Sequence, residues 1–125
     1  MIKQIPSQEI KDYIKNNKKC VLLDVRTKEE WNECRPNGDM IGLKTYFLSL
    51  QFEGGVINEN FLEEFKNLNI NQDCQILAMC GSGNRSQRAA ELLTKEGYNC
   101  ANVSDGFRGN GAEKIGWKNN QLPIK

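Results

Sequence analysis

The chain has 125 residues, and its 17 basic and 16 acidic side chains leave a net charge of +1. This length is typical of one domain spanning residues 1–125, and 38 % apolar residues suffice for a hydrophobic core. A net charge near zero argues against nucleic-acid binding, which usually needs a basic surface. No apolar run exceeds five residues, so no membrane span is predicted, and the N-terminal residues lack a secretory apolar segment. We therefore expect a cytoplasmic protein that binds neither nucleic acid nor membrane.

Predicted strands and helices alternate along the chain. Compact apolar runs predict buried strands, and apolar residues at helical spacing predict helices. In chain order, these patterns predict a helix over 7–17, a strand over 21–25, a short helix over 27–33, a brief strand over 40–43, a helix starting at 60, a strand over 75–79, a helix over 85–96 and a strand over 99–103. Strands that alternate with helices pair in parallel, so we expect an α/β fold with a mostly parallel sheet and helices on both faces.

Five cysteines and the absence of histidine limit the chemistry that this chain can perform. Zinc sites need closely spaced Cys or His ligands, and no two of these cysteines are separated by only two residues. An odd number of cysteines in a chain without a secretory signal does not suggest a disulfide scaffold. Hydrolases that pair serine or cysteine with histidine are excluded, so a cysteine nucleophile must be activated in another way.

The candidate site is a glycine-rich loop between a predicted strand and a predicted helix. Its sequence is Cys80-Gly81-Ser82-Gly83-Asn84-Arg85-Ser86. Open α/β folds bind ligands at the carboxyl ends of strands, and two glycines let the backbone turn so that several N–H groups face one concavity. The start of the following helix adds partial positive charge. A cysteine in isolation is more often buried and inert, but this combination favours a thiolate, a persulfide or a bound oxyanion.

Several motifs in this chain resemble those of the rhodanese family, in the family's order. Residues 80–86 are similar to its active-site loop, and Leu22–Arg26 followed by Glu30-Trp31 is similar to its amino-terminal strand signature. Residues 103–107, and Gly116-Trp117 with Leu122-Pro123, are similar to its carboxy-terminal elements. The resemblance covers about residues 5–125 and implies a rhodanese-like fold.

The resemblance implies a single-domain sulfurtransferase. Cys80 would take a sulfane sulfur from a small donor such as thiosulfate, carry it as a persulfide, and pass it to a thiophilic acceptor. That acceptor would be cyanide, a thiol or a protein. The backbone amides from Gly81 to Ser86 would hold the extra sulfur, and no metal or organic cofactor is implied. Two displacements through a covalent intermediate follow the general logic of nucleophilic catalysis.

Two features depart from the family pattern. The family usually carries a segment similar to Gly-His-Ile-Pro-Gly-Ala after its first helix, and residues 32–40 contain no such motif. Some members that use thiosulfate have basic residues directly after the cysteine, whereas this chain has Gly81 and Ser82. Because thiosulfate is a dianion, we expect its use to be weak and to rise when a basic residue is added at either position.

The supporting residues have more than one possible role. Asp24 and Arg26 match the family signature and lie on one side of their predicted strand. One possibility is an ion pair that orients the loop, and another is an ordinary structural ion pair. In the third, Arg26 contacts an anionic donor instead. Arg85 either orients the loop or neutralises a donor. Trp31 and Trp117 are expected to pack in or over the core rather than bind substrate.

Two other functions compete with sulfur transfer. Phosphatases and arsenate reductases of related fold have five residues between the cysteine and the arginine of their loop, whereas only four separate Cys80 from Arg85. The smaller loop favours a sulfur atom over a tetrahedral oxyanion. The second alternative is a rhodanese-like binding module that carries sulfur or senses redox state with little turnover. Such modules typically lose the cysteine, which this chain retains.

Overall fold

The computed structural model of this protein describes residues 1–111 and 115–125. Within these residues, five parallel strands form a central sheet in the order β1-β7-β6-β2-β3, beside a two-stranded antiparallel hairpin of β4 and β5. The strands are β1 (Lys3–Ile5), β2 (Cys20–Asp24), β3 (Lys44–Phe47), β4 (Gln51–Phe52), β5 (Val56–Ile57), β6 (Gln75–Met79) and β7 (Asn99–Val103). The helices are α1 (Ile10–Asn16), α2 (Lys28–Glu33), α3 (Phe61–Asn67) and α4 (Asn84–Lys95). None of the helices in the described residues combines the length and apolarity needed to cross a bilayer.

Both faces of the central sheet are buried, as the predicted α/β fold requires. Successive side chains of a strand point to opposite faces, so Leu23 packs into one apolar cluster and Leu22 into another. The first cluster includes Phe65 of α3 and Leu93 of α4, whereas the second includes Ile10 of α1. The expected architecture, a mostly parallel sheet with helices on both faces, is confirmed.

The predictions of β2, β6, β7, α2 and α4 are confirmed to within about one residue at each end. The helix predicted over 7–17 is a 3-10 turn over Ser7–Glu9 followed by α1. Ser7 does not cap this segment through its side chain; instead its hydroxyl donates to Oδ2 of Asp105 at 2.7 Å. A tertiary partner has therefore replaced the local hydrogen bond that the sequence pattern predicted.

The strand predicted over 40–43 is wrong. Residues Gly38–Ile41 form a 3-10 turn, and the N–H groups of Gly42 and Leu43 donate back to the carbonyls of Asp39 (3.2 Å) and Gly38 (2.9 Å). Gly42 has a φ of +81°, which ends the turn and is incompatible with a regular strand. The strand begins only at β3, directly after the predicted range.

Residues 32–40, the segment that departs from the family pattern, include a stretch that pairs with the C-terminus. Pro36 forms an isolated antiparallel bridge with Ile124. The N–H of Asn37 donates to the carbonyl of Pro123 at 2.8 Å, and the N–H of Lys125 donates to the carbonyl of Arg35 at 2.9 Å. Residues 35–37 therefore anchor the end of the chain.

Candidate active site

Cys80 directly follows β6, a central strand of the sheet, and its side chain is 1 % exposed. The N–H of Gly83 donates to its Sγ at 3.1 Å. Gly83 has a φ of +107°, and a Cβ at this position would overlap the carbonyl oxygen of Ser104. A glycine is needed at position 83 because only this residue permits both the backbone conformation and the close approach to the segment after β7.

A chain of polar side chains, in which Ser86 and Asn102 are buried, continues from the sulfur to the exposed Gln4 of β1. Nδ2 of Asn102 donates to the carbonyl of Gly83 (3.1 Å) and to Oε1 of Gln4 (2.9 Å), which directs Oδ1 of Asn102 at the Ser86 hydroxyl, 2.5 Å away. Ser86 has one hydroxyl proton, and donating it to Asn102 leaves its oxygen as an acceptor towards Cys80 Sγ at 3.3 Å. Ser86 can therefore accept from a thiol, or turn its proton towards a thiolate.

Several backbone donors at this loop have no acceptor among the described residues. They are the N–H groups of Gly81, Ser82, Asn84, Arg85 and Ser86. The first hydrogen bond of α4 within the backbone runs from the N–H of Gln87 to the carbonyl of Gly83 at 3.2 Å, so the preceding amides of its first turn have no acceptor in the described part of the chain. Unpaired amides and the helix dipole make this end of α4 favourable for negative charge.

Arg85 does not extend freely into solvent but binds Glu30 of α2. Its Nη1 and Nη2 donate to the two carboxylate oxygens of Glu30 at 2.8 and 3.1 Å, and its side chain is 22 % exposed. Glu30 also accepts from the N–H and hydroxyl of Thr27, both at 3.1 Å, which completes the capping box of α2. Of the two roles considered for Arg85, this geometry favours positioning, because the pair ties the start of α4 to the start of α2.

The ionisation of this pair follows from its contacts. Burial alone would raise the pKa of Glu30, but hydrogen bonds from Arg85 and from the Thr27 backbone, with the charge of Arg85, lower it to about 2. Hydrogen bonding to Glu30 in turn raises the pKa of Arg85 against the opposing effect of burial. Both groups are therefore charged at neutral pH.

Asp24 and Arg26 form a buried ion pair beneath the loop. Nε of Arg26 donates to both carboxylate oxygens of Asp24 at 3.1 Å, and Nη2 lies 3.0 Å from Oδ2. Nη2 also donates to the carbonyl of Cys34 at 2.9 Å, and the guanidinium lies over the ring of Phe107, 4.1 Å from its centroid. Burial raises the pKa of Asp24, and Arg26 opposes that rise. Because Arg26 is 2 % exposed, its position favours a structural role over direct contact with a donor.

Comparison with known proteins agrees with this geometry. The sequence profile of the "Rhodanese-like domain" matches residues 7–112. The chain belongs to the rhodanese-like domain family. It is 41 % identical over 127 residues to the uncharacterized protein RP600 of Rickettsia prowazekii, a match that covers 98 % of this chain and 97 % of that protein. An uncharacterized protein of Rickettsia montanensis, described as lying in the dnaA 5′ region, is 40 % identical, with 98 % and 96 % covered.

Solved structures resemble this rhodanese-like domain closely. Rv0390 from M. tuberculosis is 32 % identical, with a TM-score of 0.84 and coverage of 98 % of this chain and 96 % of that one. A rhodanese-like domain protein from Staphylococcus aureus shares the fold at 21 % identity, with a TM-score of 0.66 and coverage of 91 % and 96 %.

The other cysteines of this rhodanese-like domain have different surroundings from Cys80. The thiol of Cys20 donates to the carbonyl of Asn17 at 3.0 Å, and burial, with a smaller effect of nearby Cys74, raises its pKa. Burial raises the pKa of Cys100 to about 11. Cys34 packs against the second apolar cluster, on the α1 face of the sheet. Among the described residues, no group of three or more Cys, Asp or Glu side chains could hold a metal ion.

Arg108 is a site residue that the sequence analysis missed. Its N–H donates to the carbonyl of Gly81 at 2.9 Å, directly beside the bond from the N–H of Phe107 to the carbonyl of Cys80 at 2.7 Å. Its Nη2 lies 3.6 Å from Glu30 Oε2. The available signal was its place in the carboxy-terminal motif, just after Phe107, but that motif does not indicate which loop the segment contacts.

Proposed function

We propose that this protein is a sulfurtransferase that moves a sulfane sulfur from a small donor to a thiophilic acceptor through a persulfide on Cys80. The observation that carries the proposal is the position of the Cys80 sulfur. It accepts a hydrogen bond from Gly83 and lies next to a turn of backbone amides that have no acceptor among the described residues. Such donors favour a thiolate before transfer and a persulfide anion after it.

With thiosulfate as the donor, the first step is a displacement at sulfur. Cys80 loses its proton to solvent, and its thiolate attacks the outer sulfur of thiosulfate. The sulfur–sulfur bond of the donor breaks, and its electron pair leaves with sulfite. The products are sulfite and a Cys80 persulfide, whose outer sulfur carries the negative charge towards the amides of Gly81, Ser82 and the first turn of α4.

The second step returns the enzyme to its starting state. An acceptor such as cyanide attacks the outer sulfur of the persulfide, and the electron pair of the sulfur–sulfur bond returns to Cys80 as a thiolate. Cyanide leaves as thiocyanate; a small thiol or a protein thiol leaves as a persulfide. Neither step needs a metal or an external oxidant, because each is a displacement at sulfur: the attacking group supplies the electron pair of the new bond, and the pair of the broken bond leaves with the departing group.

Intact-mass measurement after donor treatment tests this proposal. The wild-type protein should gain one sulfur atom and lose it when cyanide is added. Cys80→Ser should gain none, because a serine hydroxyl stays protonated at neutral pH and forms no persulfide. The matched control replaces Cys20, Cys34, Cys74 and Cys100 together by Ala or Ser and should still gain the cyanide-labile sulfur. A Cys80→Ser protein that gains such a sulfur would overturn the assignment.

Repeated turnover distinguishes an enzyme from a carrier that is loaded only once. An enzyme should release thiocyanate in many-fold excess over protein, at a rate proportional to protein concentration. Release of one equivalent followed by arrest would instead identify a carrier with little turnover of its own.

A further inference from the structure

The guanidinium of Arg108 occupies the space that a side chain at position 81 would fill. A Cβ built on Gly81 would lie 2.6 Å from Nη2 and 3.1 Å from Nε of Arg108. The hydrogen bond from the Arg108 N–H to the Gly81 carbonyl keeps the two residues together. A positive charge from the segment after β7 therefore lies beside the residue that follows the cysteine.

Arg108 differs from the two other arginines at this site in how strongly it is held. Arg26 is buried against Asp24, and Arg85 donates two hydrogen bonds to Glu30, at 2.8 and 3.1 Å. Arg108 reaches Glu30 only at 3.6 Å, and its side chain is 58 % exposed. Arg85 and Arg108 together bring two positive charges to the single carboxylate of Glu30, so this cluster retains one positive charge.

We propose that Arg108 is a specificity-determining residue that binds the anionic end of the sulfur donor. The inference rests on the proposed sulfurtransferase function and narrows its donors to those with a negatively charged leaving group, such as thiosulfate. In that reaction sulfite leaves with the electron pair of the broken bond, and a guanidinium at the loop can bind its oxygens before and after the bond breaks.

This role replaces the basic residues that some family members have directly after the cysteine. Gly81 and Ser82 carry no charge, which on sequence grounds predicts weak use of thiosulfate. In the structure, Arg108 supplies a positive charge at the same place, although it lies 27 positions after Gly81 in the chain. A bulky residue at position 81 would displace this guanidinium, so Gly81 and Arg108 form a matched pair.

The experiment compares two donors in Arg108→Gln, Arg108→Lys and the control Arg88→Gln. Arg88 is an exposed arginine of α4, so its replacement removes the same charge elsewhere. The donors are thiosulfate, a dianion, and methanethiosulfonate, a monoanion. We expect Arg108→Gln to raise the KM for thiosulfate roughly tenfold with kcat little changed, because charge-assisted hydrogen bonds are lost. The KM for methanethiosulfonate should rise less, and Arg108→Lys should recover part of the loss.

The ratio of the two KM values separates charge recognition from misfolding, because misfolding would affect both donors equally. If sulfur is loaded but Arg108→Gln changes this ratio no more than Arg88→Gln does, the inference about Arg108 is wrong and the sulfurtransferase function stands. The inference is wrong in the same way if methanethiosulfonate loads Cys80 and thiosulfate does not. If no donor adds sulfur to Cys80, the proposed function fails, and the role of Arg108 with it.

Discussion

At the residue scale, the reactivity of a cysteine depends on the direction of the hydrogen bonds at its sulfur. Cys20 donates to the carbonyl of Asn17, an arrangement that needs a protonated thiol. Cys80 accepts from the N–H of Gly83, an arrangement that favours the thiolate. Gly83 is thus both the source of this donor and the residue whose backbone conformation directs it at the sulfur.

Gly83→Ala should therefore distort the loop. An alanine at a φ of +107° is strained, and its Cβ would overlap the carbonyl of Ser104. We expect the free energy of unfolding to fall by about 2 kcal/mol or more, and sulfur loading of Cys80 to fall with it. Gly111→Ala is the control, because a Cβ there meets no atom of the described residues within 4 Å, and it should cost less than about 0.5 kcal/mol. Urea unfolding and intact mass measure the two effects; equal stability of the two variants would contradict this account.

At the element scale, Glu30 connects α2 to the loop that follows Cys80. The same carboxylate closes the capping box with Thr27 and binds the Arg85 side chain at the start of α4. The capping box is a local pattern that the sequence indicates, whereas its use as an anchor for Arg85 depends on the packing of α2 beside α4. One ionised group therefore stabilises two helix starts.

This arrangement predicts a specific dependence of stability on pH. The pKa of Glu30 is about 2 in the folded protein, against an ordinary value of 4.5 that applies to the unfolded chain. As pH falls, the unfolded chain therefore binds this proton at a higher pH than the folded protein does. The stabilisation by ionised Glu30 is complete above pH 4.5 and is lost as pH falls through about 2. The difference in unfolding free energy between wild type and Glu30→Gln should shrink by about 1–2 kcal/mol from pH 6 to pH 3.

Chemical denaturation at several pH values measures this difference. Glu29→Gln provides the control, because Glu29 lies on the exposed side of the same helix. Its difference from wild type should stay nearly constant across the range. A Glu30→Gln difference that is equally flat would show that the Arg85 contact does not stabilise the charged carboxylate.

At the scale of the whole molecule, buried polar groups join segments that are far apart in the chain. Arg26 binds Asp24, the carbonyl of Cys34 and the ring of Phe107. Asp105 accepts from Ser7 and from the N–H of Gly116 at 3.0 Å, which brings the two ends of the chain to the turn after β7. The segment that carries Phe107 is therefore held from several directions where it contacts Cys80 and Gly81.

Arg26→Met should be among the most destabilising single substitutions in this protein. It leaves Asp24 buried without its partner, and removing one member of a buried ion pair typically costs about 3–5 kcal/mol. Urea unfolding of Arg26→Met should show a loss of that size, while Arg88→Met, on the exposed side of α4, should stay within about 0.5 kcal/mol of wild type. A loss below about 1 kcal/mol would show that Asp24 is neutral or finds solvent when Arg26 is absent.

The sequence alone determined the features that depend on neighbouring residues. Compact apolar runs identify β2 and β6, because a strand buried on both faces needs apolar side chains at nearly every position. The capping pattern locates the start of α2, and the two glycines after Cys80 locate the loop between strand and helix. Family membership follows from the order of such local motifs. Each of these signals lies within a few consecutive residues, where backbone preference and side-chain spacing act directly.

Only the tertiary structure decided the composition of the charged cluster around that loop. Glu30, Arg85 and Arg108 are separated by tens of residues and meet because β6, β7 and β2 lie side by side, which brings their carboxyl ends to one edge of the sheet. Strand β1 was missed for a related reason. Its three residues are too few to form a pattern, and it forms because β7 offers it an edge to pair with. An ion pair or an edge strand is stabilised by a partner distant in sequence, so its own residues carry no local sign of it.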